Sequence, residues 1–76
     1  MRDLQDIEKD IYDYYDETGT LNDIDINLAK EYLDTISDLE GKNWQLFNDQ
    51  DIKYYKYSSI LSDVYKNSRL ISGLNL

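Results

Sequence analysis

The sequence predicts an all-α fold, either a small three-helix bundle or a helical hairpin closed by a long C-terminal helix, on three observations. Apolar residues recur at spacings of three and four in three separate stretches, the period of an amphipathic helix. Each stretch is followed by a glycine, Gly19, Gly41 or Gly73, suited to the left-handed residue that closes a helix. The 76 residues contain no proline to interrupt any of them. That length allows a single domain, residues 1–76, which buries only about 60% of its unfolded surface.

The first helix is expected from Asp3 to Glu17, with Leu4, Ile7, Ile11 and Tyr14 as its apolar stripe and Tyr15 and Thr18 beside it. Asp3 stands at the cap position, and Gly19, followed by Thr20 and Asn22, ends the element. The second helix begins between Asp23 and Asn27 and runs to Glu40, with Asp25 or Asn27 as cap and Gly41 as the closing residue. Leu28, Ala29, Tyr32, Leu33, Ile36 and Leu39 form its stripe. Lys42 to Phe47 is a short connection carrying the only Trp and the only Phe, two large rings placed to plug one end of the core.

The third helix is expected to run unbroken from Phe47 to Gly73. Phe47, Tyr54, Tyr57, Leu61, Val64 and Ile71 keep the helical period, with Gln50 and Ser68 in the two polar gaps. Asn48 can cap it, Asp49 and Asp51 favour its positive end, and Phe47 with Ile52 forms a hydrophobic staple. Lys66 and Arg69 suit its last turns, and Leu74 to Leu76 are expected to fray. The alternative is an α+β fold with a Tyr-rich hairpin at 43–59. It is disfavoured because Tyr54 and Tyr55 are adjacent, breaking the two-residue alternation, and because the Asp49-Gln50 loop lacks a glycine.

Charge is the second strong signal. The net charge is −8, and residues 1–41 carry thirteen Asp and Glu against Arg2, Lys9 and Lys30. Residues 42–76 reverse the balance, with Asp49, Asp51 and Asp63 against Lys42, Lys53, Lys56, Lys66 and Arg69. Asp3, Asp6, Asp10, Asp13 and Glu17 follow spacings of three and four, so they line one face of the first helix over about 21 Å. Like charges at these spacings destabilise a helix by roughly 0.2–0.5 kcal/mol per pair, so the row does nothing for folding. Glu31, Asp34 and Asp38 add acidic positions off the apolar stripe of the second helix. Both sets are candidate partner-binding residues, since a row of carboxylates can imitate a nucleic-acid backbone. The plainer alternative is a solvated acidic face.

Other motifs carry less. Lys53-Tyr54-Tyr55-Lys56-Tyr57 interleaves bases and aromatics as single-strand binders do. A chain of charge −8 repels nucleic acid, however, and Tyr54 and Tyr57 belong to the apolar stripe, so direct nucleic-acid binding is not expected. Catalysis has little to stand on: there is no His or Cys and no Gly-rich phosphate loop, so the expectation is a non-enzyme without cofactor or metal. No apolar run of membrane-spanning length is present, and the acidic start Met1-Arg2-Asp3-Leu4-Gln5-Asp6 is unlike a secretion signal, which points to the cytoplasm.

The function expected is therefore binding: a small acidic modulator or inhibitor that occupies a basic surface on a larger, nucleic-acid-processing protein. In size, charge and lack of histidine the chain resembles phage-encoded inhibitors of host defence, including anti-CRISPR and antirestriction proteins that mimic DNA. That resemblance implies an inhibitory partner interaction in the host cytoplasm. The alternative function is structural: a helical subunit that self-associates through its Tyr-rich stripe, so that monomer and homodimer are both open.

The turn from Tyr14 to Asp25 shares Asp16, Thr18, Gly19, Thr20, Leu21, Asn22 and Asp25 with the pattern of an EF-hand loop. Tyr14 falls at the first ligand position, where an Asp is needed, and Asp25 replaces the bidentate Glu at the last. The expected outcome of a calorimetric titration is no calcium binding tighter than roughly millimolar. Micromolar affinity would overturn the reading of this stretch as a plain interhelical turn.

Overall fold

The computed structural model describes residues 2–53 and 55–74. Among them it is all-α: helices α1 (Leu4–Thr18), α2 (Ile26–Glu40), α3 (Asp49–Lys53) and α4 (Ser58–Leu74), with a 3₁₀ turn at Trp44–Leu46. The described residues include no strand, so the Tyr-rich hairpin at 43–59 is not formed. None of their helices is long and apolar enough to cross a membrane.

Local chemistry accounts for the first two helices. Asp3 takes extended backbone geometry ahead of α1, and its carbonyl accepts the first helical bond from Ile7 N–H at 3.1 Å, although its side chain caps nothing. Gly19 adopts the left-handed conformation (φ 76°) and returns its N–H to Tyr15 O at 2.7 Å. Thr18 and Thr20 hydroxyls then satisfy the turn, Thr18 Oγ1 donating to Thr20 O and Thr20 Oγ1 accepting from Asn22 N–H. Asp25 caps α2, its Oδ1 accepting from Asn27 N–H at 2.9 Å. At the other end Gly41 (φ 66°) lets Lys42 N–H reach back to Ser37 O at 3.1 Å, the six-to-one closure of a Schellman turn.

The core sits around α2, which packs against α1, α4 and the 3₁₀ turn. Ile7 and Ile11 of α1 meet Ala29, Tyr32, Leu33 and Ile36 of α2, with Tyr57, Leu61 and Trp44 closing the far side. Trp44 plugs the end of the core as expected, edge-on to Tyr65 with ring centroids 5.6 Å apart, and Phe47 packs half-buried against it. Two core residues have no core place in the sequence reading: Leu21 and Ile24, in the connection between α1 and α2, are both buried. Leu39 is the opposite case. It continues the α2 stripe in sequence but is 62% exposed, because the chain turns away at Gly41.

The expected single helix from Phe47 to Gly73 is instead divided. Asn48 does cap a helix, accepting from Gln50 and Asp51 N–H at 2.9 Å, while Asp51 Oδ2 accepts from Asn48 N–H in return. That helix is α3, and it stops at Lys53. The reason is tertiary. In an unbroken helix Tyr57 N–H would bond to the carbonyl four residues back; here it donates to the Tyr32 hydroxyl at 3.2 Å. Tyr57 thereby enters the core edge-on to Tyr32, ring centroids 6.1 Å apart, and α4 starts afresh at Ser58. Lys42 ties α3 to the end of α2 through Asp51 at 2.7 Å, holding that carboxyl below its ordinary range. α4 continues through Gly73 to Leu74, so Gly73 lies within its last turn rather than beyond it. Tyr54 and the side chains of Ile52, Arg69 and Ile71, each given a place by the periodic reading, lie outside the described residues, as do Asn75 and Leu76 at the expected frayed end.

Two substitutions test this packing. Leu61→Ala should cost about 2–5 kcal/mol, because Leu61 is fully buried and the cavity cannot collapse far. Tyr32→Phe should cost about 1–3 kcal/mol with little change in shape, because it leaves Tyr57 N–H buried without an acceptor. Denaturant unfolding reads both; an unchanged midpoint in either variant contradicts the arrangement.

Candidate functional site

The acidic residues singled out from the sequence occupy the surface formed by α1 and α2. Asp3, Asp6, Asp10, Asp13 and Glu17 are all exposed, since Ile7, Ile11 and Tyr14 take the inward side of α1. On α2, Glu31 and Asp34 are half-buried at the edge of the core and Asp38 is exposed. Helix packing brings two of the eight together: Asp10 of α1 and Glu31 of α2 both bond the guanidinium of Arg2. The two acidic sets therefore touch at Asp10 and Glu31.

Cations neutralise some of these groups and leave others alone. Arg2 Nε and Nη2 donate to the two oxygens of Glu31, the former at 3.4 Å, while Nη1 donates to Asp10. The Glu31 and Asp10 carboxylates hold that guanidinium even more firmly protonated than usual. Lys30 pairs with Asp34 at 2.8 Å, one turn away, and its ammonium is raised accordingly. Lys9 stands 3.9 Å from Asp13, a loose contact. Among the described residues, Asp3, Asp6, Glu17 and Asp38 have no ion pair. Arg2 is the residue of this candidate site that sequence reading missed. It lies outside every helix and every period, so only the folded chain shows what it touches.

The remaining features serve the fold. Glu8 accepts from the Tyr32 hydroxyl at 3.4 Å, so this one carboxylate of α1 turns toward the core edge. Tyr55 donates to Glu40, which with burial pushes the phenol up to about 12. A groove of about 690 Å³ runs between α2, the 3₁₀ turn and α4, lined by Asp34, Asp38, Lys30, Lys42, Trp44 and Tyr65 among others. Its acidic and basic walls balance. The described residues contain no cluster of metal-ligating side chains. Of the Tyr-rich stripe proposed for self-association, Tyr57 and Leu61 are consumed by the core and Val64 packs against it.

No protein-family model matches the sequence, and comparison with curated proteins and with solved structures returns no match. A functional reading therefore rests on the charge and geometry of this chain alone.

Because uncompensated carboxylates crowd one side, salt should stabilise the fold. Raising ionic strength from 0.01 M to 0.15 M shortens the screening length from about 30 Å to about 8 Å. The expected result is a higher melting temperature, by about 4–8 °C for each kcal/mol of repulsion relieved. A melting temperature that falls with salt would mean that the ion pairs outweigh the repulsion.

Proposed function

We propose that this chain is a small acidic binding protein, not an enzyme, that occupies a basic surface on a larger protein, one whose natural occupant is nucleic acid. The observation that carries the reading is the bridging position of Arg2. One guanidinium touches both Asp10 and Glu31, so the acidic rows of α1 and α2 adjoin at that point. A broad negative surface fits a phosphate-binding groove better than a single line of charge.

Two energetic points support it. Asp16 and Glu17 end α1, and Asp38 and Glu40 end α2, with no basic residue in either last turn. Helix C-termini favour cations, so these placements are unfavourable for folding by roughly 0.3–1 kcal/mol each at an exposed site. The α1 row also places about one carboxylate every 5 Å, given about 1.5 Å of rise per residue. That is coarser than the phosphate of each DNA strand at about 3.4 Å, but of the same sign and regularity. In size and charge the chain fits the DNA-mimicking inhibitors made by phages against host nucleases, acting in the host cytoplasm.

The test uses immobilised protein, a bacterial lysate, and elution with salt or with duplex DNA. Proteins retained by the chain should be released by DNA at an ionic strength where buffer alone leaves them bound. Asp3→Asn, Asp6→Asn and Glu17→Gln together remove three charges that have no ion pair among the described residues, so the fold should hold. Elution from that variant should occur at lower salt, with slower association, because long-range attraction steers encounter. Retention that is indifferent both to DNA and to the triple change would place the partner surface elsewhere.

A further inference from the structure

Resting on the acidic-face reading, we propose that the junction of Asp10 and Glu31 is an arginine-recognition site, held in the free protein by the chain's own Arg2, which an arginine of the partner displaces. The guanidinium seated there shows the chemistry of the site. Nε and Nη2 engage the two oxygens of Glu31 in parallel, and Nη1 turns to Asp10. Three donors of one planar group thus meet carboxylates on two different helices. Only a guanidinium offers that fork; an ammonium presents a compact charge and cannot address Glu31 through two parallel bonds.

Arg2 is placed to leave. It precedes α1, which begins at Leu4, so withdrawing its side chain melts no helix. It contributes nothing to the hydrophobic core. Its side chain is 42% exposed and those of Asp10 and Glu31 are 46% and 36% exposed, so an incoming group can reach both carboxylates. Ion pairs this exposed are weak, and displacing the two that Arg2 makes reduces an incoming arginine's affinity by no more than about thirty-fold. Arg2 thereby acts as an internal competitor: it suppresses weak cationic contacts at the junction and yields to a partner that supplies arginine together with other basic groups for the flanking carboxylates.

The consequence is opposite to that of a structural ion pair, for which losing Arg2 should do harm or nothing. Oligoarginine and oligolysine peptides of equal length are the probes, titrated calorimetrically at low salt. The wild-type protein should bind oligoarginine more tightly than oligolysine. Arg2→Ala should tighten oligoarginine binding, by up to about thirty-fold. Lys9→Ala makes the same charge change on α1 without opening the junction, and should gain less. Glu31→Gln should abolish the preference for arginine. Equal gains from Arg2→Ala and Lys9→Ala, or no preference for arginine in the wild type, would overturn the site while leaving the acidic face intact. Failure of both peptides to bind would overturn the face along with it.

Discussion

The hydroxyl of Tyr32 is the polar contact on which the arrangement of the helices turns. Tyr32 is fully buried in the middle of α2. A phenol in that position loses water on every side and must be satisfied by protein. It is, by donating to Glu8 of α1 at 3.4 Å and accepting from Tyr57 N–H at 3.2 Å. One oxygen therefore links α1, α2 and the residue that leads into α4. Burial drives the phenol's ionisation well above its ordinary range, so the group stays neutral and keeps both roles. The T-shaped contact with the Tyr57 ring adds directional packing to the same junction.

The break between α3 and α4 follows from that contact. A small domain has few large side chains with which to fill a core, and Tyr57 is worth more inside than on a solvent-facing helix. Bringing it inside uses its N–H in a tertiary bond, and the helix resumes at Ser58 with a fresh first turn, Leu61 N–H bonding to Tyr57 O at 2.9 Å. α3 is then short, and is held by the Asn48–Asp51 capping pair and by Lys42 rather than by its own length.

The electrostatic side of the molecule is a compromise of the same kind. Packing α1 on α2 brings like charges near each other, and Arg2 offsets that approach between Asp10 and Glu31. Lys30 does so locally for Asp34. The carboxylates farther out along α1 are left to solvent or to a partner. A charged face that the fold tolerates rather than needs is one that a binding role can shape.

α1 and α2 were legible from the chain because every determinant is local: apolar residues at spacings of three and four, Asp25 within two residues of the N–H it caps, Gly19 and Gly41 in the left-handed geometry that closes each helix. The exposure of the acidic row on α1 followed from the same periodicity. What tertiary structure decided was everything that depends on a partner distant in sequence. Tyr57 N–H finds its acceptor 25 residues away, and no period of three or four can report that its helical bond has been exchanged. Leu21 and Ile24 are buried because two helices converge over a turn whose own sequence looks polar. Arg2 reads as one more surface charge until the fold places Glu31, 29 residues on, beside it. Local periodicity sets which face of a helix is apolar; only the packed chain sets what each face, and each unpaired polar group, will meet.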